Sequence, residues 1–443
     1  MISERMGNGL GDNLGMALKY FAQRVTTEII LRDGAILPHD DKAILREAAK
    51  KVAELANRPI EAEKKRLWYK LNSLQSERPL MVCDPENGWY EIITPDKLKC
   101  KSDLGRVLEF YLRKTIFWGE EMKDDTVITP IFRAHHIFEE SNRGYDKVDI
   151  GTGQTGSYSW KPAIKNRDDI EKLKPQTFII HQRETDEYFG LLTDLFDGIL
   201  DVRLETMWWN SCGMTSDLIF FLGMKKMLYL LIDEPDEIHM LMAFLRDEFL
   251  KKFEYVERNS LLCMNNNDMY VGTGGYGWTD ELPQPDFNGK VRLCDKWGLS
   301  ESQETIGISP EMFGEFIFPY QQELQKKFGL NCYGCCEPIE ARWKYIKQIH
   351  GLRRISVSPW ANEEMLSKMM GRDYIYSRKT PPMWLAAPVA DEAIMEAGIR
   401  RTVELAGKGN LELIMKDTHT IGNNPGNCIR YVEVCRKVIN DIC

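Results

Sequence analysis

Apolar runs of the length a membrane-spanning helix needs, about 18 residues, are absent from this sequence. The opening stretch, MISERMGNGLGDNLGMALKYF, lacks the basic region, apolar core and small-residue cleavage site of a secretory leader, which points to a cytoplasmic protein. Long basic runs are missing too. With a formal net charge of -9 and a pI near 5.5, nucleic acid and anionic membrane surfaces are poor partners. The 11 cysteines are odd in number and scattered through 443 residues, which excludes a small disulfide framework and fits a reduced thiol pool. There is no internal repeat and no low-complexity tract. GTGGYG (272–277) lacks the GxGxxG spacing of a dinucleotide loop and GTGQTG (151–156) follows no convincing strand, so a doubly wound nucleotide-binding sheet is the second choice of fold.

What is present is helical periodicity first, then alternation. MALKYFAQRVTTEIILRDG repeats apolar residues at helical spacing and stops at Gly34, and DDKAILREAAKKVAELANRP opens on an acid pair and stops before Pro59, which predicts a helical extension over residues 1–77. From Arg78 onward, short apolar runs alternate with amphipathic segments. The runs lie at 79–83, 127–133, 203–209, 268–274, 329–335, 353–358, 373–377 and 411–416. Their alternation predicts an α/β chain folded as a (β/α)8 TIM barrel over residues 78–443, with its chemistry on loops at the C-terminal strand ends. Residues 134–180 show little period and read as a binding loop or a solvated insertion.

One stretch draws the candidate chemistry together. Leu330 to Trp343, LNCYGCCEPIEARW, joins an apolar lead-in to three cysteines, an acid and a helix-opening proline. Side chains two apart share a strand face, so Tyr333, Cys335 and Glu337 are expected to point one way and Cys332, Gly334 and Cys336 the other. A thiolate and a carboxylate then meet one metal ion. His419, at the polar tip DTHTIGNNPGN that follows the apolar run LELIM, is the expected third ligand, leaving a fourth zinc position open; Cys336 is the substitute. The plainer alternative is that these cysteines are small buried hydrophobes.

Four segments, in order, resemble the uroporphyrinogen decarboxylase superfamily. They are RLETMWWNSCGMTSDLIFFLGMKKMLYLLIDEPDEIHMLM, CDKWGLSESQETIGISPEMFGEFIFPYQQELQ, LNCYGCCEPIEARWKYIKQIHGLRRISVSP and LIMKDTHTIGNNPGNCIRYVEVCRKVI. The tetrapyrrole decarboxylases of that superfamily carry an arginine-rich turn after the first strand, whereas Val82 to Trp89 is acidic and contains no arginine. The resemblance therefore implies the other branch, zinc-dependent methyltransferases that exchange methyl groups with a corrinoid protein. Their His-x-Cys falls on Tyr333 and Cys335, and their distal ligand near His419. In length, helical extension and aromatic wealth, the chain is most similar to the enzymes that demethylate aryl methyl ethers.

That resemblance implies a methyltransferase (O-demethylation) that moves methyl from a small aromatic methyl donor to Co(I) of a separate corrinoid (cobalamin) protein, with zinc as Lewis acid on the leaving oxygen. Tyr333 or His135 would supply a proton, and Asp84 and Asp295 would orient a substrate hydroxyl. Trp208, Tyr276 and Trp278 would stack on the donor ring. No Asp-x-His-x-x-Gly motif is present, so the corrinoid would ride on a partner docked over the barrel mouth, and a homodimer is left open. With Asp84 and Glu86 in the first turn, neutral methoxyphenols are expected to outrun methoxybenzoates unless Arg133 or Arg203 reaches the site. The alternatives are a methylcorrinoid:thiol methyltransferase, a metal-free decarboxylase-like lyase using His419 and Asp84, and a non-enzymatic module.

Overall fold

Eight short parallel strands carry the architecture: β1 (Leu80–Cys83), β2 (Ile131–Ala134), β3 (Asp201–Leu204), β4 (Trp297–Ser300), β5 (Leu330–Tyr333), β6 (Leu352–Val357), β7 (Ile375–Thr380) and β8 (Asn410–Met415). They belong to a computed structural model that describes residues 14–145, 148–150, 159–407 and 409–443. Six form one sheet in the order β1-β8-β7-β6-β5-β4, and β2 pairs with β3, every pairing parallel. Within each sheet a strand lies beside its neighbour in the chain, and the last strand lies beside the first. A barrel wraps in that order, whereas a doubly wound sheet reverses direction part-way. The fold is mixed α/β and TIM-barrel-like.

Among the described residues the strand ladder does not close the ring, and side chains stand in at the two seams. Beside β1, Asp125 accepts the Met81 N–H at 2.9 Å and Asp124 accepts the Cys83 N–H at 2.8 Å. Beside β4, the Asn265 amide takes both backbone groups of Trp297, at 2.9 and 3.0 Å, and the Cys212 N–H reaches the Leu299 carbonyl at 2.8 Å. The buried edges are thus satisfied without a neighbouring strand.

One expected run is misplaced. Residues 268–274 do not form a barrel strand; Tyr270–Val271 pairs antiparallel with Gly275–Tyr276 in a short hairpin, and the fourth parallel strand is WGLS at 297–300. Tyr, Val and Gly in the hairpin imitate a strand end, while WGLS is too short and too interrupted by glycine to stand out. Of the irregular stretch at 134–180, residues 138–140 pair with 178–180 and 148–150 with 159–161. GTGQTG and the first 13 residues lie outside the described residues. No helix among the described residues is long and apolar enough to cross a membrane.

Alternation sorts the strand side chains. Met81, Cys83, Ile355, Tyr376, Leu411, Leu413 and Met415 join the main helix-covered core, whereas Leu80, Val82, Ile375 and Ile414 face inward with Tyr276 and Trp278. Among the described residues three helices precede the first strand, α1 (Leu14–Asp33), α2 (His39–Ala56) and α3 (Pro59–Asn72). From α3, Leu67, Trp68 and Leu71 pack into that inner cluster against the start of β1 and β7. Inside, Arg354 donates to both oxygens of Glu412 at 3.0 and 3.2 Å and to Asn72 Oδ1 at 2.7 Å. The Asn72 amide in turn donates to the carbonyls of Tyr276 and Trp278 at 2.9 and 2.7 Å. The hairpin is therefore drawn into the barrel, and Gly275 passes so close that a Cβ there would lie 2.6 Å from the Arg354 guanidinium.

Gly275→Ala is accordingly expected to lower unfolding stability by about 1–3 kcal/mol, the usual cost of overpacking a tight interior. Gly190→Ala, on a helix with open space around it, is expected to be neutral or slightly stabilising. Urea unfolding of the two variants checks this, and equal effects would contradict the packing.

Candidate functional site

The loop after β5 turns sooner than strand alternation predicts. The strand ends at Tyr333, and Gly334 follows at φ 94°, a conformation that side chains resist. Beyond it Cys335 and Cys336 no longer point apart: their sulfurs lie 3.5 Å from one another, and Cys336 Sγ lies 3.6 Å from Asp417 Oδ2 just past β8. Glu337 is fully buried, its oxygens accepting the N–H groups of Ser302 and Cys335 at 2.8 and 2.9 Å. His419 is exposed. The structure thus brings Cys335 and Cys336 together and adds Asp417, while the carboxylate of Glu337 is spent on backbone donors and His419 stands apart.

A zinc ion with one open position needs three converging protein ligands. Among the described residues no three His, Cys, Asp or Glu side chains are arranged to hold a metal ion. The expected Cys335, Glu337 and His419 set does not fit.

Tyr333 points to the helix side of its strand. It is fully buried, with its hydroxyl 2.8 Å from Ser302 Oγ and 3.3 Å from Gln321 Oε1 on α4 (Phe318–Gln325). Burial, and then the charge of Glu337, push its pKa far above the tyrosine range, so it is a poor proton donor.

Asp84 sits one residue past β1. It accepts from Trp89 Nε1 at 2.6 Å and from the Tyr270 hydroxyl at 2.9 Å, with Lys114 Nζ at 3.7 Å. Burial alone would raise its pKa, but Lys114, Lys416 and those two hydrogen bonds outweigh it and hold the carboxyl below its ordinary range. Lys416 Nζ lies 3.4 Å from Glu86 and 5.3 Å from the centre of the Tyr270 ring. The acidic first turn is therefore matched by lysines from elsewhere in the chain, and the charge argument against carboxylated donors loses its premise. Arg133 is committed to Glu205 and Asp268, and Arg203 to Asp201.

The remaining candidates are held in other clusters. His135 Nδ1 lies 2.8 Å from the His136 carbonyl, and burial lowers its pKa to about 4. Trp208 packs among Phe138, Phe178 and His136 and donates to the Leu261 carbonyl at 3.0 Å. Trp278 lies against Tyr69 with Lys65 over its ring. Asp295 precedes β4, bound by Arg292 and by the Gln284 N–H. Tyr276 alone reaches the Asp84 group, stacked at 5.0 Å on Tyr270, a residue that is 36% exposed and carries Lys416 over its ring.

Lys379 and Glu301 are the groups that sequence reasoning missed. Lys379 stands near the end of β7, buried, with its amine donating to Ser377 Oγ at 2.9 Å. Burial brings its pKa down to about 8, with the charges of Glu412 and Cys335 pulling it partly back. The run DYIYS was expected to end at Ser377, so Arg378 and Lys379 read as loop; the signal available was the Thr380-Pro381-Pro382 stop three residues later. Glu301 directly follows β4, where burial, then Glu304 and Glu337, raise it to about 8. The strand ends thus present two soft nucleophiles and an amine that exchanges its proton near neutral pH.

No family model matches the chain, and no curated protein does either. Among solved structures, a methyltransferase from Methanosarcina mazei aligns with a TM-score of 0.39 at 9% identity, covering 68% of this chain and 76% of that one. A likeness that shallow assigns no activity.

Glu301 gives this region a pH signature. Its pKa is near 4.5 when unfolded and about 8 when folded, so between those values the native state holds a proton that the unfolded state has released. Stability from this group is complete below about 4.5 and is lost as pH rises toward about 8. Glu301→Gln is expected to flatten that loss, by an amount on the order of a few kcal/mol. Urea unfolding of both proteins across the window is the check, and parallel curves would contradict the assignment.

Proposed function

We propose that the chain is a corrinoid-dependent methyltransferase of the uroporphyrinogen decarboxylase superfamily, a closed (β/α)8 barrel over residues 78–443 with residues 1–77 as its extension. Its reaction moves a methyl group from a methoxylated aromatic to Co(I) of a separate corrinoid protein. The observation that carries this reading is the gathering of Cys335, Cys336, Lys379, Asp417 and Asp84 around the C-terminal ends of β5, β7, β8 and β1. Of those strands, β5 and β8 run into the segments whose order resembles the superfamily.

Co(I) brings the nucleophile, so the chain must relieve negative charge on the departing phenolate oxygen as the O–C bond breaks. Lys379 suits that task. Its ammonium, with a pKa of about 8, can pass a proton to a phenolate whose conjugate acid ionises near pH 10, a downhill transfer. The Tyr270 ring, backed by Tyr276, offers an apolar face for the donor. Lys114 and Lys416 balance Asp84 and Glu86, so carboxylated and neutral donors are both admitted. Asp84 is tied by hydrogen bonds and lysines, which leaves the lyase alternative without a free base there.

The test mixes the protein with a panel of aryl methyl ethers and a corrinoid protein reduced to Co(I), and follows methyl-Co(III) by absorbance. Donor-dependent methylation is expected, and Lys379→Met is expected to slow it by about 10²–10⁴-fold, the usual worth of a general acid. Absence of methyl-Co(III) with every donor would refute the proposal. Elemental analysis of protein purified without chelator addresses zinc separately. On this geometry His419→Ala leaves metal content unchanged, and a loss of metal in that variant would restore the expected ligand set.

A further inference from the structure

The Cys335–Cys336 pair carries an inference that does not depend on methyl transfer. Adjacent cysteines in an extended strand point apart, but the Gly334 turn sets these sulfurs 3.5 Å from each other, both half-buried and within reach of solvent. Cys83, Cys100, Cys212, Cys332, Cys428 and Cys435 are buried. Cys83 and Cys428 also interact, yet neither is open to a reagent.

We propose that Cys335 and Cys336 are a redox-active vicinal dithiol, a modification site that low-molecular-weight disulfides oxidise to a Cys335–Cys336 bridge. Cys336, as thiolate, attacks one sulfur of the oxidant R–S–S–R, forms a mixed disulfide and expels R–S⁻. Cys335 then gives up its proton and attacks the Cys336 sulfur, forming the bridge and expelling the second R–S⁻. Two electrons pass from the pair to the oxidant, and the two thiol protons end on two molecules of R–SH.

The order of events follows from the surroundings. Cys336 donates its S–H to Asp417 Oδ2 at 3.6 Å, a carboxylate placed to take that proton, which makes Cys336 the entering sulfur. Adjacent Cα atoms are about 3.8 Å apart across a trans peptide, short of the roughly 4.4–6.8 Å that disulfides favour. A bridge here is strained and easily reduced, the property of labile disulfides and not of structural ones. Closing it removes both soft donors from the strand-end site.

The experiment exposes the full, reduced chain to oxidised glutathione with a chelator present, alkylates the remaining thiols and reads masses. The peptide that carries Cys335 and Cys336 is expected to lose two hydrogens, its fragmentation to place the bridge at 335–336, and dithiothreitol to reverse it, with any adduct on the exposed Cys443 read on its own peptide. Cys335→Ser is expected to stop at one glutathione on Cys336, and Cys336→Ser to take none at Cys335, with circular dichroism showing both variants folded. Full alkylation of both cysteines after oxidation, two separate glutathione adducts without a bridge, or a bridge at Cys83–Cys428 instead would each overturn the proposal.

Discussion

An arginine and a glutamate buried together inside the strand ring set the terms for the rest of the molecule. Arg354 is 1% exposed and Glu412 not at all, so both have given up water, and only mutual charge and fixed hydrogen bonds compensate that loss. The compensation comes from three sides. Glu412 takes two bonds, Asn72 at the end of α3 takes a third, and the Trp297 ring lies 5.3 Å from the guanidinium. Because Asn72 also holds the carbonyls of Tyr276 and Trp278, the same network ties α3, β4, β6, β8 and the hairpin at 270–276 together.

That constraint decides where chemistry can occur. A barrel-like arrangement of strands whose interior is occupied by its own hairpin is a packed core and not a pore, so reactive groups collect at the strand ends. The hairpin also helps to build that end, since its Tyr270 donates to Asp84 and lies beneath Lys416. Charges that look one-sided in the sequence are balanced in space, Asp84 by Lys114 and Glu86 by Lys416. Gly334 adds the last element by swinging Cys335 and Cys336 onto one side.

Seven of the eight apolar runs overlap a strand, although 127–133 and 203–209 share only three and two residues with theirs, and the helices before them were legible because period and stop signals were strong there. The hairpin and WGLS exchanged roles since short segments are told apart by what they pack against, and Arg354, which draws the hairpin inward, lies far along the chain. The site was half legible. Cys335 and Cys336 stood out by clustering, but their mutual orientation hung on one glycine φ that no spacing rule encodes. Trp208 and Trp278 are large apolar residues near strand ends, and nothing local says whether such a ring lines a mouth or fills a core. Lys379 went unnoticed because a charged residue at a strand end reads as loop until burial is known.

The central claim, that the buried pair organises both the filled interior and the site above it, is tested most directly by a double-mutant cycle on unfolding free energy. The single variants Arg354→Met and Glu412→Leu should each cost about 3–5 kcal/mol, because each strands a buried charge. The double variant should cost far less than their sum, with a coupling of at least about 2 kcal/mol. Costs that add to within about 0.5 kcal/mol would show that the two side chains act independently, and would contradict the account.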